Sequence, residues 1–448
     1  MSRLYHPAIY DDARHVESYW AASAGPEVPG WAPLEGDHAC EVAIVGGGYT
    51  GLACALHLAR DFGVDARVLE AGPPGWGASG RNGGVCSPGA TMLSYETMIA
   101  RYGLEATRRY FDACKESVEL VPEIARAEGI EIDAQGSGEI CVAHRPSRMD
   151  ALRKQQEFYE RVFGQKTTLW SREELAERAY RGPEAFGGLH LPIGIGLHPL
   201  KYARGLARAL LRHGGTIHGL SRVLSWERAG GEHRLRTSKG SLRAGRVVIA
   251  TNGFCRDDFD RRFRGTFLPA LSNIIVTRPL TQDELAAQAW RTETPIYCTR
   301  NLLFYYRMLP DKRFLLGGRG GTDASPEGAA RMRRWMTKRL GEMWPAWKGV
   351  EVSHFWRGFV CLAPDLLPHL GRLPDDESVF YSFAYHGNGV AMASWCGRAL
   401  ARAIGGDLDW ESLPGIITQP LRRYPLAGLR VWYLRGAYAL YRARDQWP

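Results

Sequence analysis

Nowhere does the sequence carry an unbroken apolar run of about 18 residues, the length a membrane-spanning helix needs, so no spanning segment is expected. The most lipid-compatible stretch, 426–440, is interrupted by Arg430 and Arg435. The N-terminal segment has acids and histidines where a secretory signal would hold continuous apolar residues, and cytoplasmic residence is the expectation. The nine cysteines form no CxxC pair and are odd in number, which predicts reduced thiols rather than a disulfide framework. No biased tract or internal repeat occurs, and disorder, collagen and coiled coil are excluded on that ground. No carboxylate pair, Ser/His/Asp set or metal-ligand spacing stands out, so no metal is expected.

What is present is ordinary globular material. The 448 residues are 45% hydrophobic and 23% charged, enough for two or three units at roughly 150 residues each. The formal charge of +9 comes mostly from arginines spread along the whole chain, so no nucleic-acid partner is expected.

Two textures alternate along the chain. Glu41-Val42-Ala43-Ile44-Val45 has the length and β-branched composition of a buried parallel strand. Residues 50–62 repeat Leu52, Ala55, Leu56 and Ala59 at helical spacing, with Gly63 where a C-cap belongs, and 66–70 predicts a second strand. This βαβ unit demands a right-handed crossover in a parallel sheet. Helices are predicted over 95–127, 201–212 and 390–404, and buried strands at 216–219, 245–250 and 380–383. Residues 130–145 and 272–320 carry short strands between turn residues instead.

The expected fold is α/β, a discontinuous Rossmann-type dinucleotide domain with an inserted mixed or antiparallel β-sheet domain for substrate. The expected division is an arm over 1–37, a dinucleotide domain over 38–98, 199–256 and 354–405, a substrate domain over 99–198 and 257–353, and a tail over 406–448. The arm is expected to be extended, with one short helix around 13–22.

Gly46-x-Gly48-x-x-Gly51 follows the first strand and opens the helix. Its first glycine permits the tight turn, Gly48 lets backbone approach a pyrophosphate, and Gly51 lets helix and strand pack. Orphan N–H groups and the dipole at the helix start favour phosphate. Glu70, ending the second strand, is placed to accept from both ribose hydroxyls and argues against a 2′-phosphate. The fingerprint alone leaves NAD and FAD open. A second glycine stretch, 75–84, reads either as a flexible loop or as backbone wrapped around a large planar ligand, with Ser79 and Arg81 available to phosphate.

These motifs, with the strand ending Ala250-Thr251-Asn252-Gly253 and the late turn His386-Gly387-Asn388-Gly389-Val390, stand in the order found in the FAD-dependent D-amino-acid oxidase superfamily. The chain resembles most its gamma-glutamylputrescine oxidoreductase-like branch, through Glu17-Ser18-Tyr19-Trp20, Leu303-Phe304-Tyr305-Tyr306-Arg307 and the Arg- and Tyr-rich tail. The resemblance implies that Gly46, Gly48, Gly51 and Glu70 hold the ADP half of FAD, with Tyr49, Thr50, Ala71 and Thr251 in the same cofactor set. It implies that Ser79, Gly80, Arg81, Asn82, Gly83 and Gly84 run past the pyrophosphate and the flavin edge, and that Val223 touches adenine. Gly387, Asn388, Gly389 and Val390 would start a helix facing the flavin pyrimidine, where N–H groups stabilise the charge of the reduced ring.

The implied activity is oxidation of an amine, a polyamine conjugate such as gamma-glutamylputrescine or an amino-acid-like secondary amine, to an imine by hydride transfer to flavin N5. Electrons would pass to oxygen or another acceptor. Arg307, in an aromatic strand, is the expected carboxylate partner, since a guanidinium can pair both oxygens, and Arg357 is a second candidate. His386 is the third catalytic candidate, although branch members often carry Gly-His-Gly where this chain has Gly387-Asn388-Gly389. Tyr305, Tyr306 and Trp356 are candidates to line an apolar passage, and Cys86 and Cys298 for a covalent flavin link. The tail suits either a packed helix or one lying at a membrane surface, the latter making a quinone the acceptor. Two alternatives keep the cofactor: an oxidase of glycine, sarcosine or a D-amino acid, and a flavin electron carrier without amine turnover. An NAD-dependent dehydrogenase conflicts with the second glycine stretch and the late turn.

Overall fold

The computed structural model describes residues 4–446; Met1–Arg3 of the expected arm and Trp447–Pro448 of the expected tail lie outside them. Two eight-stranded sheets organise the chain. In the first, the order is His369–Leu373, Asp376–Phe383, Gly240–Ile249, Gly36–Val45, Ala66–Leu69, Thr216–His218, with the hairpin Ser225–Ala229/Glu232–Arg236 added beside Gly240–Ile249. All neighbours from Asp376–Phe383 to Thr216–His218 pair in parallel. Val42 and Ile44 bury into a core on one face, and Ala43 and Val45 into another on the opposite face, which is why this strand reads as a continuous apolar run.

The helix Tyr49–Phe62 ends on Gly63, left-handed at φ 65°. Gly389–Gly405 packs across it through Gly397, where a Cβ would lie 2.5 Å from the Thr50 carbonyl oxygen. The predicted 95–127 helix is broken by Gly103, at φ 85°, into Tyr95–Tyr102 and Leu104–Ala127.

The second sheet runs Val352–Leu362, Leu268–Pro279, Arg313–Arg319, Phe304–Met308, Ile296–Cys298, Glu139–Val142, Gly188–Leu191, Thr168–Trp170. Its pairs are antiparallel except Ile296–Cys298 with Glu139–Val142. Phe304, Tyr306, Phe314 and Leu316 point away from the first sheet into their own core. We keep the two-domain division as a proposal with two changes. Strand Val352–Leu362 pairs with Leu268–Pro279 and so goes to the second sheet, and helix Leu104–Ala127 buries Tyr110, Cys114, Val118 and Val121 in the first core.

The arm laces the two sheets together, its helix at Tyr19–Ser23 rather than 13–22. The Tyr5 hydroxyl donates to Pro269 O (2.6 Å) and the Trp20 indole to Asn82 O (2.8 Å). In the tail, helix Arg430–Gln446 packs Val431, Leu434 and Tyr438 inward and leaves Trp432 63% exposed. Among the described residues no helix is long and apolar enough to cross a membrane. All nine cysteines are free.

Candidate active site

A cavity of about 1400 Å³ runs between the sheets, from the crossover of the first to one face of the second. Its nucleotide end is built by the glycine turn. Gly46 sits at φ 115° with the Ala250 carbonyl oxygen 2.6 Å from where a Cβ would be, and a Cβ on Gly48 would lie 2.8 Å from Ser79 Oγ. A Cβ on Gly51 would overlap the Gly46 carbonyl oxygen outright. Gly51→Ala is therefore expected to yield folded but colourless protein, with FAD content per chain down at least tenfold in the absorption spectrum.

The Glu70 carboxylate accepts from Gly47 N (2.5 Å) and Gly72 N (3.0 Å) at the cavity wall, and burial raises its pKa against the lowering effect of these N–H groups. Ser79 Oγ accepts from Tyr49 N (2.9 Å) at the helix start. The Arg81 guanidinium stacks 4.1 Å from the Trp76 ring, donates Nε–H to Trp76 O, and faces the cavity with Nη2 buried and unpartnered. Burial lowers its pKa to about 10, so it stays cationic at neutral pH. A buried acid at the end of the second strand, a glycine backbone cradle at a helix start and a buried cation with a spare donor fit the ADP half of FAD.

Asn82 holds the second glycine stretch: its Nδ2 donates to Ser79 O (2.8 Å) and its Oδ1 accepts from Gly84 N (2.8 Å). At the far side, Asn388 donates to Pro88 O and Gly89 O instead of capping the helix Gly389–Gly405. The first N–H groups of that helix therefore face the cavity without a side-chain cap.

Of the residues expected at the cofactor, Gly46, Gly48, Tyr49, Thr50, Glu70, Ala71, Ser79, Arg81, Asn82, Gly83, Val223, Thr251 and Gly387 to Val390 all line the cavity. Gly51, Gly80 and Gly84 lie one layer behind it. A Cβ on Gly84 would meet Arg307 Nη2 at 2.6 Å, and one on Gly80 would meet Leu200 Cδ1 at 2.9 Å.

The expected catalytic residues fare differently. Arg307 is 1% exposed and does not line the cavity. It donates to Gly83 O (3.2 Å), Gln135 Oε1 (3.3 Å) and Leu197 O (2.5 Å), so its guanidinium is committed to holding the glycine loop. Arg357 pairs in register with Asn273, on the sheet face turned away from the cavity, and donates to Asn273 Oδ1 and Asp323 O (both 2.9 Å). The His386 ring lies at the cavity, donates Nε2–H to Leu367 O, and has its pKa lowered by burial to about 3. It is neutral at physiological pH, holds the turn at φ 53° through Leu367 O, and keeps Nδ1 buried without a partner among the described residues.

Tyr305 lines the cavity, while Tyr306 lies behind the sheet bonded to the Tyr180 hydroxyl, and the Trp356 indole donates to Arg81 O within the core. Cys86 and Cys298 are both buried away from the cavity.

A different arginine reaches the chamber. Tyr305 pairs with Gly317, so Arg319, two residues on, projects from the same face. Gly317 has no side chain because the Tyr305 ring lies over it. Arg319 donates to His386 O (2.6 Å) and contacts Met92 Sδ (3.4 Å), lines the cavity, and has no acidic partner among the described residues. Its only sequence signal is an Arg inside the run Gly317-Gly318-Arg319-Gly320-Gly321.

Residues 41–403 match the family model described as FAD dependent oxidoreductase. The chain is 31% identical over 442 residues to gamma-glutamylputrescine oxidoreductase of Escherichia coli (strain K12), covering 96% of this chain and 99% of that one. It is 23% identical to glycine oxidase of Bacillus subtilis (strain 168), covering 81% and 92%. Among solved structures, glycine oxidase from Geobacillus kaustophilus superposes with a TM-score of 0.67 at 22% identity, over 83% of this chain and 96% of that one.

Proposed function

The chain belongs to the FAD-dependent oxidoreductase family, of D-amino-acid oxidase type, and from that premise we propose that it oxidises an amine that also carries a carboxylate, in the manner of gamma-glutamylputrescine. The enzyme is an FAD-dependent oxidoreductase acting on an amine or amino acid. The observation that carries the finer reading is Arg319, a cation with no acidic partner among the described residues, in a tyrosine-lined chamber continuous with the dinucleotide crossover.

Glu70, Ser79 and Arg81, with the backbone of Gly46–Gly48, would hold the ADP half of FAD, and Gly83 and Gly387–Val390 would border the ring. When bound, FAD supplies the two-electron acceptor that takes the hydride from the carbon beside a neutral amine. The chain's own residues then bind, orient and exclude water. Arg319 takes the carboxylate as a charge-assisted pair and so fixes the direction of the amine. Tyr305, Tyr95, Tyr297 and Met92 form the apolar wall that dries the site. The uncapped start of helix Gly389–Gly405 stabilises negative charge at the cavity. The imine released would hydrolyse to an aldehyde or keto acid, with oxygen or a quinone as the final electron acceptor.

Anaerobic mixing of the holoenzyme with a panel of donors at equal concentration tests this. Carboxylate-bearing polyamine conjugates are expected to bleach the oxidised flavin band fastest. Faster bleaching by glycine, sarcosine or a D-amino acid would favour a small-amino-acid oxidase, the activity that names the glycine oxidases superposing on this fold. No bleaching by any donor would leave an electron carrier.

A further inference from the structure

Neither the packing nor the proposed oxidation uses Glu139. It begins the strand Glu139–Val142, is 9% exposed, lines the cavity, and forms no ion pair among the described residues, with Ser87 and Tyr297 the polar side chains that favour its charged form. Sheet register explains its aim. Tyr297 pairs with Tyr305 on one side and Cys141 on the other, and Glu139, two residues before Cys141, shares their face. Arg319 projects from that same face three strands away and four residues further along the sheet, roughly 20 Å at ordinary strand spacing and rise.

Tyr95 and Tyr159 come from the helices Tyr95–Tyr102 and Met149–Phe163, with rings 6.0 Å apart edge to face. Both line the cavity within electrostatic reach of Glu139, as does Tyr297. An unpaired carboxylate buried among aromatic rings is costly until a cation arrives. Ring faces with a carboxylate are also the chemistry that recognises alkylammonium groups.

We propose that Glu139, Tyr95, Tyr159 and Tyr297 form a subsite for a cationic nitrogen of the substrate, at the opposite end of the chamber from Arg319. The proposal rests on the amine-oxidising reading and deepens it: the donor is dipolar, with its carboxylate at Arg319 and, besides the neutral amine that is oxidised, an alkylammonium at Glu139.

The test uses the FAD-loaded enzyme and hexyltrimethylammonium, which has no lone pair to support oxidation, with binding read by calorimetry. Glu139→Gln, checked for equal FAD content and melting temperature, is expected to weaken binding at least tenfold; equal affinity overturns the subsite. A second measurement needs no variant. Burial raises the Glu139 pKa to about 7, so wild-type affinity for this non-titrating cation should rise as pH increases through about 7, where the carboxyl loses its proton. The facing tyrosines 95, 159 and 297 are held well above their ordinary range and His386 stays neutral, so neither supplies that change; Lys154 also lines the cavity. A flat profile overturns the proposal. Flavin bleaching by amines with binding indifferent to Glu139 removes the subsite and keeps the oxidation. Glu139-dependent binding without bleaching by any donor keeps the subsite and removes the oxidation.

Discussion

Arg319→Gln is expected to lower kcat/KM for a carboxylate-bearing amine by roughly 30- to 1000-fold, about 2 to 4 kcal/mol, the cost of losing one partner of a desolvated charge pair. An alkylamine without a carboxylate should lose no more than about threefold, because the glutamine keeps a donor for His386 O and leaves the turn in place. The contrast matters more than either number. Uniform loss on both donors would mean that Arg319 only braces the turn. Burial already lowers its pKa, so the charge is held at some expense that an incoming carboxylate would relieve. Steady-state kinetics on the two donors, with FAD content matched, gives the comparison.

Arg307→Leu should act on stability instead. The side chain is fully buried, and its three donated bonds end on Gly83 O, Gln135 Oε1 and Leu197 O. Removing the donors strands two buried carbonyls and an amide oxygen, a loss of about 3 to 9 kcal/mol at roughly 1 to 3 kcal/mol for each group left unsatisfied. Denaturant unfolding of the holoenzyme should show a lower midpoint with an unchanged slope. The ratio of rates between carboxylate-bearing and plain amines should stay as in wild type. Unaltered stability with selective loss of carboxylate donors would return Arg307 to the substrate.

The two arginines explain what the sequence could and could not yield. The cofactor end was legible because its determinants are local: one strand, one turn, one helix and an acid, all between Glu41 and Glu70. The late turn at Gly387–Val390 was legible for the same reason. The substrate end depends on strand register and on which row of a face each residue occupies. Arg307 and Arg319 share one face, yet Arg307 lies two rows deeper, beside Leu315 and over the Trp20 ring, whereas Arg319 reaches the open chamber. Arg357 falls on the opposite face because its register partner is Asn273 rather than Ser272. Parity of this kind follows from pairing between distant strands, which no short motif encodes. Glu139, Tyr95, Tyr159 and Tyr297 come from four separate elements, so nothing in the chain's linear order gathers them.

The arm joins parts of the chain that are far apart in sequence. Its contacts are distant in sequence: Pro269 receives the Tyr5 hydroxyl, Arg222 pairs with Asp12, and the Arg307 guanidinium lies over the Trp20 ring. Docking the arm closes loops of more than 200 residues, and such long-range closure is slow. The glycine loop shares in that closure, because the Trp20 indole that braces it at Asn82 O also lies against the Arg307 guanidinium.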